Sequence, residues 1–546
     1  MTESMSGETS KRPSIWWMIG GLLLLLLVLS ARFRLLELPL ERDEGEYAYG
    51  AQLLLHGGQL YEEIHSMKWP GLYAAYALLF LAGGEHISTI HAGLIVVNLL
   101  TALGLGLLTR QFLNSTAGII TAICYLILSV MPPAHGIIAN AEHFALLPAV
   151  WGLWLLNRQC RSSESVSIAG SLLAGFLLGL APVMKQHAHL FVLLGLILAA
   201  VSPWPATLQN LRQNLTRLLL VLNGILLAWS GMCLLIWLRG DWDQFVTWTV
   251  IYPRDYTRQV TLEQAPANFL ITAIPIAQAI WPILLLALTG LGALILRRQR
   301  NELLWGIGFL LASLIALCPG FYFREHYFLM VFPVMAFLCG WGAVGLLSWR
   351  QSSLHILASA AILLALIFPL AHQRDPLFLL STRNVCLRLF GINPFIESPE
   401  IGRFLAERMS PDDRMVIFGS EPQIGFYAQR RLATGDIYMY PLMEVHPLAR
   451  PMQQEMIEKV TAADPKFALF VSAPTAWLMS PGSEQMLTDW MPGYLKNFHP
   501  IGIVKRRGLE DPEYRFAPTG EWLRNVPTAV PQDVQYVAIF QRKETL

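Results

Sequence analysis

The feature that most constrains this chain is a series of long apolar runs, near residues 15–36, 87–109, 117–132, 141–157, 168–184, 188–203, 217–238, 269–296, 302–318, 327–349 and 353–371. As helices, these runs are about the length needed to cross a hydrocarbon core of roughly 30 Å. A water-soluble fold would have to expose apolar patches that water does not tolerate. The 546 residues contain only 14% charged side chains, against about 25% in an average soluble domain. The sequence therefore predicts a polytopic α-helical membrane protein. A net charge of +1 excludes nucleic-acid binding driven by bulk basicity. The six cysteines show no CxxC or other metal spacing and form no disulfide framework.

Loop charges orient the chain. Residues 1–14 are small and polar and carry Lys11 and Arg12, which predicts a disordered cytoplasmic leader. The run that follows is too long for a secretory signal and lacks an A-x-A cleavage site, so it reads as an uncleaved first span. A shorter run, Gly71 to Ala82, would cover only about 18 Å as a helix. If it does not span, Arg110, Arg158, Arg161, Arg212, Arg217, Arg297, Arg298, Arg300 and Arg350 all fall in cytoplasmic turns, as the positive-inside tendency requires. This gives about eleven spans within residues 15–371, with interfacial helices in a first outer loop at 37–86 and a further outer segment at 239–268.

The tail, 372–546, is then a periplasmic α/β domain. Helix-like stretches (Glu400–Met409, Met452–Ala462, Ser483–Trp490) alternate there with strand-like ones (Met415–Phe418, Phe467–Val471, Tyr536–Gln541). It contains neither G-x-G-x-x-G nor a P-loop, so nothing points to a nucleotide site.

The first outer loop carries the densest charge. Glu41, Asp43, Glu44 and Glu46 lie within six residues, directly after the first span. Charge alone fits a solvated spacer equally well. However, Tyr47, Ala51, Leu54 and Leu55 recur at helical spacing, which puts the acids at the start of an amphipathic interfacial helix. The helix dipole favours ionised carboxylates there. Lys68, beside Trp69, is either a snorkelling anchor or a phosphate contact.

The segment RDEGEYAYGAQLLLHGGQLY followed by KWPGLY resembles the polyprenyl-phosphate-sugar-dependent glycosyltransferases of the GT-C superfamily. The likeness is to the bacterial branch of the dolichyl-phosphate-mannose–protein mannosyltransferase family (glycosyltransferase family 39), which includes the aminoarabinose transferases. NAEHF at 140–144, KQHAH at 185–189 and REHYF at 324–328 fit the same resemblance. It implies a single inverting displacement at the sugar C1, at the outer face of a bacterial inner membrane, from a polyprenyl-phosphate-linked donor. It assigns Asp43 as the catalytic base, Glu44 as its neighbour and Lys68 as a donor-phosphate contact. Two departures stand out: the usual Lys-Pro-Pro is Lys68-Trp69-Pro70, and Met67 replaces the acid that precedes the lysine in the aminoarabinose branch.

Further candidates fall on the same face. Glu142, a costly charge unless it lines a wet cavity, and Tyr47 would line the substrate cavity. Lys185 and Arg324 would contact the donor phosphate, and His326 and Tyr327 would join the cavity. Each also has a plain structural reading: Glu142 as a helix N-terminal acid, Lys185 as an interfacial anchor, Arg324 as a partner of Glu325. His187 and His189, two apart, point to different sides and do not suggest a shared metal. A divalent metal elsewhere is possible, though no ligand set is assigned. The acceptor is open among a protein hydroxyl, lipid A, a polysaccharide and a lipid. The alternative to a transferase is a transporter or flippase of lipid-linked sugars.

Overall fold

A computed structural model describes residues 15–161, 166–203, 208–348, 351–516 and 534–543; the expected leader at 1–14 lies outside them. Each apolar run becomes a helix. Among the described residues, six helices are long and apolar enough to cross a membrane: α1 (Ile15–Arg34) and helices at Ile87–Phe112, Asn210–Arg239, Ala265–Arg297, Glu325–Leu347 and Ser352–His372. The remaining runs form the less apolar helix Ala141–Arg161 and the shorter helices Ser115–Leu128, Ile168–Met184, His189–Val201 and Arg300–Ile315.

Apolar tails solvate apolar side chains as well as other helices do, so close backbone contact through small residues carries much of the packing. Helix Ile168–Met184 meets the helix after residue 208 through Gly175 and Gly224, where an added Cβ would collide with Val221 and Leu172 backbone oxygens. Gly290 and Gly342 join Ala265–Arg297 to the helix starting at Phe332 in the same way.

The first loop folds into three helices: α2 (Arg42–Leu55), α3 (Leu60–Glu63) and α4 (Gly71–Gly83). α2 starts at the acidic cluster because the Glu41 side chain caps it, accepting from the Glu44 amide at 2.9 Å. The 13 residues of α4 cover about 20 Å, short of a hydrocarbon core. It buries Tyr73, Tyr76 and Phe80 and exposes Leu78 and Leu81.

The tail holds a five-stranded mixed sheet in the order β1-β2-β5-β3-β4. β1 (Met415–Phe418) and β2 (Phe467–Val471) run parallel, and β5 (Val534–Arg542) lies antiparallel to both β2 and β3 (Phe498–Arg507). β4 (Glu513–Phe516) closes the far edge. β1 and β2 fall where the sequence places them, whereas β3 and β4 were not anticipated.

The tail does not stand apart from the first loop. Leu40, Tyr47, Tyr76 and Phe80 share one apolar core with Phe418, Phe426, Leu469 and Ile539. α2 is thus covered on its second side by the tail helix Pro422–Ala428, and residues 44–53 are all buried. The approach is closest at Gly45, where a Cβ would lie 2.7 Å from the Gln423 nitrogen. Gly45→Ala must push backbone against backbone, so it is expected to destabilise the fold by about 1–3 kcal/mol. The check is a lowered melting temperature in detergent together with faster proteolytic release of the tail.

Candidate active site

Asp43 and Glu46 are three residues apart on α2 and so share a face. Both meet Lys68, which the extended segment before α4 brings across. Its Nζ lies 2.8 Å from Asp43 Oδ1 and 2.7 Å from Glu46 Oε2. The Lys68 ammonium also sits 4.4 Å from the centre of the Tyr47 ring, a cation–π contact that favours its charged form.

The two carboxylates differ in what they have left to give. Glu46 is fully buried and accepts four donors: Lys68 Nζ and Tyr438 Oη (2.6 Å) on Oε2, and Ser66 Oγ (2.6 Å) and Tyr73 Oη on Oε1. Its acceptor capacity is filled. The Asp43 side chain is 29% exposed, and among the described residues only its Oδ1 accepts hydrogen bonds, from Lys68 and, at 3.4 Å, from Tyr438 Oη. Oδ2 is open. Burial would push the Asp43 carboxyl up, but the adjacent Lys68 ammonium outweighs it and holds it well below the usual carboxylate range. Asp43 is therefore an ionised carboxylate with a free oxygen.

Glu44 faces away. It is buried, with one oxygen 3.1 Å from His91 Nε2 and also accepting from the Ala139 amide. The neighbour that Asp43 has across Lys68 is Glu46, not Glu44.

A second group gathers opposite. Glu142, in the first turn of Ala141–Arg161, lies fully buried 3.0 Å from Lys185 Nζ and 3.9 Å from His326 Nε2. The Lys185 ammonium sits 5.2 Å from the Tyr327 ring centre. Lys185 and His326 add to the lowering of the Asp43 carboxyl after Lys68, so their charges act on the same carboxylate. Arg324 feels Asp43 as well, and stacks over Tyr322 at 5.4 Å. It makes no ion pair with Glu325 or any other described carboxylate. The 239–268 segment forms this wall: Tyr256 stacks on Tyr322 at 4.7 Å, and Tyr252 Oη donates to Glu444 Oε2 of the tail at 2.5 Å.

The structure thus brings together Asp43, Tyr47, Lys68, Glu142, Lys185, Arg324, His326 and Tyr327, and leaves Glu44 out. His187 packs on Tyr327 while His189 turns toward Gln186 and Trp69. Among the described residues no group of three or more His, Cys, Asp or Glu side chains is placed to hold a metal ion. Sequence reasoning missed Ser66, Tyr73, Glu46 and Tyr438. The i, i+3 spacing from Asp43 could have found Glu46; nothing local could have found Tyr438.

No family model matches the chain, and no curated protein matches it in sequence. Solved structures do match. ArnT from Cupriavidus metallidurans, in the apo state and bound to undecaprenyl phosphate, superposes with a TM-score of 0.56 at 13% identity, over 96% of this chain and 98% of that one. The archaeal oligosaccharyltransferase AglB from Archaeoglobus fulgidus, in complex with an inhibitory peptide and a dolichol-phosphate, gives 0.51 at 12% identity, over 94% of this chain and 75% of its own. Almost the whole chain therefore shares the fold of these structures, in keeping with the motif resemblance.

Proposed function

We propose that the protein is a membrane glycosyltransferase that takes a sugar from a polyprenyl-phosphate-linked donor and passes it to an acceptor at the outer face of the bacterial inner membrane. The observation that carries this reading is the ionised Asp43 carboxylate, paired with Lys68 through one oxygen and within the electrostatic reach of Lys185 and Arg324. The acceptor oxygen or nitrogen attacks the sugar C1 from the face opposite the phosphate, inverting that centre. The C1–O bond to phosphate breaks as the new bond forms, and Asp43 takes the acceptor's proton. The lipid phosphate leaves with one more negative charge than it had as a diester. Lys185 and Arg324, with Lys68 beside them, offset that charge where it develops. The structural relatives crystallised with undecaprenyl phosphate and dolichol-phosphate support a lipid-borne donor.

The test is to incubate the purified protein and candidate acceptors with a panel of undecaprenyl-phosphate sugars and to score free undecaprenyl phosphate. Release from at least one donor is expected. If every donor in the panel stays intact but crosses the bilayer of protein-containing vesicles, the transferase reading fails and a transporter takes its place.

A further inference from the structure

Tyr438 comes from the tail, 392 residues along the chain from Glu46, yet its hydroxyl ends between Asp43 and Glu46 of α2: 2.6 Å from Glu46 Oε2 and 3.4 Å from Asp43 Oδ1. The surrounding contacts hold it there. Its ring lies parallel to Tyr440 at 5.5 Å, and the Arg42 guanidinium covers Tyr440 at 5.5 Å while pairing with Glu421 at 2.6 Å. Tyr440 Oη donates to the Thr475 carbonyl at 3.0 Å. Two residues earlier, Asp436 meets His65 Nδ1 at 2.8 Å, and Ser66, next to His65, donates to Glu46. Residues 436–440 therefore touch both the acidic helix and the lysine-bearing segment.

We propose that Tyr438 is a positioning residue for the transfer and that the tail is part of the active site. This rests on the transferase reading above. Glu46 Oε2 is shared by Lys68 and Tyr438. With the tyrosine hydroxyl in place, that oxygen is divided between two donors, and Lys68 stays astride Glu46 and Asp43. Without it, the fully buried Glu46 has one donor fewer and draws the ammonium to itself, away from Asp43. Asp43 is then free to turn, and the open oxygen no longer points reliably at the acceptor. The effect falls on the chemical step: Lys68 keeps its charge near the phosphate, and Lys185 and Arg324, which Tyr438 does not touch, continue to hold the donor.

Three variants test this in the full-length protein with whichever undecaprenyl-phosphate sugar the wild type turns over. Tyr438→Phe keeps the ring stack and removes the hydroxyl; kcat is expected to fall about tenfold to a hundredfold, the range for loss of a hydrogen bond to a charged group, with KM for the donor within about twofold. Tyr438→Gln and Tyr438→Leu both lose the ring, so any folding loss is common to them. Gln carries a donor and Leu does not, and Gln is expected to keep more turnover. Wild-type kcat in Tyr438→Phe, a loss confined to KM, or equal rates for the Gln and Leu variants would each overturn the proposal while the transferase reading stands. A wild type that releases lipid phosphate from no donor would overturn the transferase reading itself.

Discussion

Asp43→Asn is expected to lower kcat by about 10²–10⁴-fold, the range that general-base catalysis supplies. Asparagine keeps the size of the side chain and an oxygen for Lys68, so the variant should still fold, with the melting temperature lowered by loss of the Asp43–Lys68 ion pair. The loss is thus separable from unfolding by measuring turnover and thermal stability on the same preparation. The depressed pKa of Asp43 adds a pH signature. Its base form is present above the usual carboxylate range and is lost only as pH falls through the lowered folded value. Wild-type kcat/KM is expected to show no carboxylate inflection between about pH 5 and 7. Wild-type rates in Asp43→Asn would remove this residue from the base role and leave the mechanism without a proton acceptor.

Lys68→Met is expected to be the most damaging single change, because it strikes stability and chemistry together. It leaves Glu46, fully buried, and Asp43 facing one another without the cation between them. Breaking a buried ion pair from one side costs about 3–5 kcal/mol, and loss of a charge beside the departing phosphate lowers turnover by about 10²–10³-fold. The pH dependence should reverse. In the wild type, the depressed Asp43 pKa means that stability is lost as pH falls below the carboxylate range. In the variant, two uncompensated carboxylates take up a proton more readily folded than unfolded, so acidification stabilises. Melting curves at about pH 3 and pH 8, wild type against variant, read this directly. A variant that melts like the wild type at both values would show that Lys68 does not hold the carboxylates.

The membrane helices were legible because an apolar run near 20 residues long has few alternatives, and the first strands of the tail, MVIF and FALFV, read as buried strands from composition alone. β3 did not, since Pro500, Gly502 and the basic pair Arg506-Arg507 interrupt its apolar pattern; the partner β5 supplies the missing signal only after folding. Within the site, Asp43 and Lys68 were legible through a motif. The choice of Glu44 over Glu46 followed adjacency in sequence, whereas a helix turns about 100° per residue and sends adjacent side chains to different surroundings. Here that rotation hands Glu44 to His91 and keeps Glu46 with Lys68. Tyr438 lay beyond any local pattern, because its place depends on how the tail docks.

That docking bears on how the protein comes into being. The acidic helix is made early, yet the tyrosine that completes its hydrogen bonds is nearly 400 residues downstream, past every described membrane helix. On the proposed reading, a chain halted between His372 and Tyr438 has made its membrane helices but holds an unfinished cleft, so transfer waits for the tail to fold. Exchanging tails between relatives would likewise have to carry the matching surface of α2 with it, which ties these two distant segments to a common history.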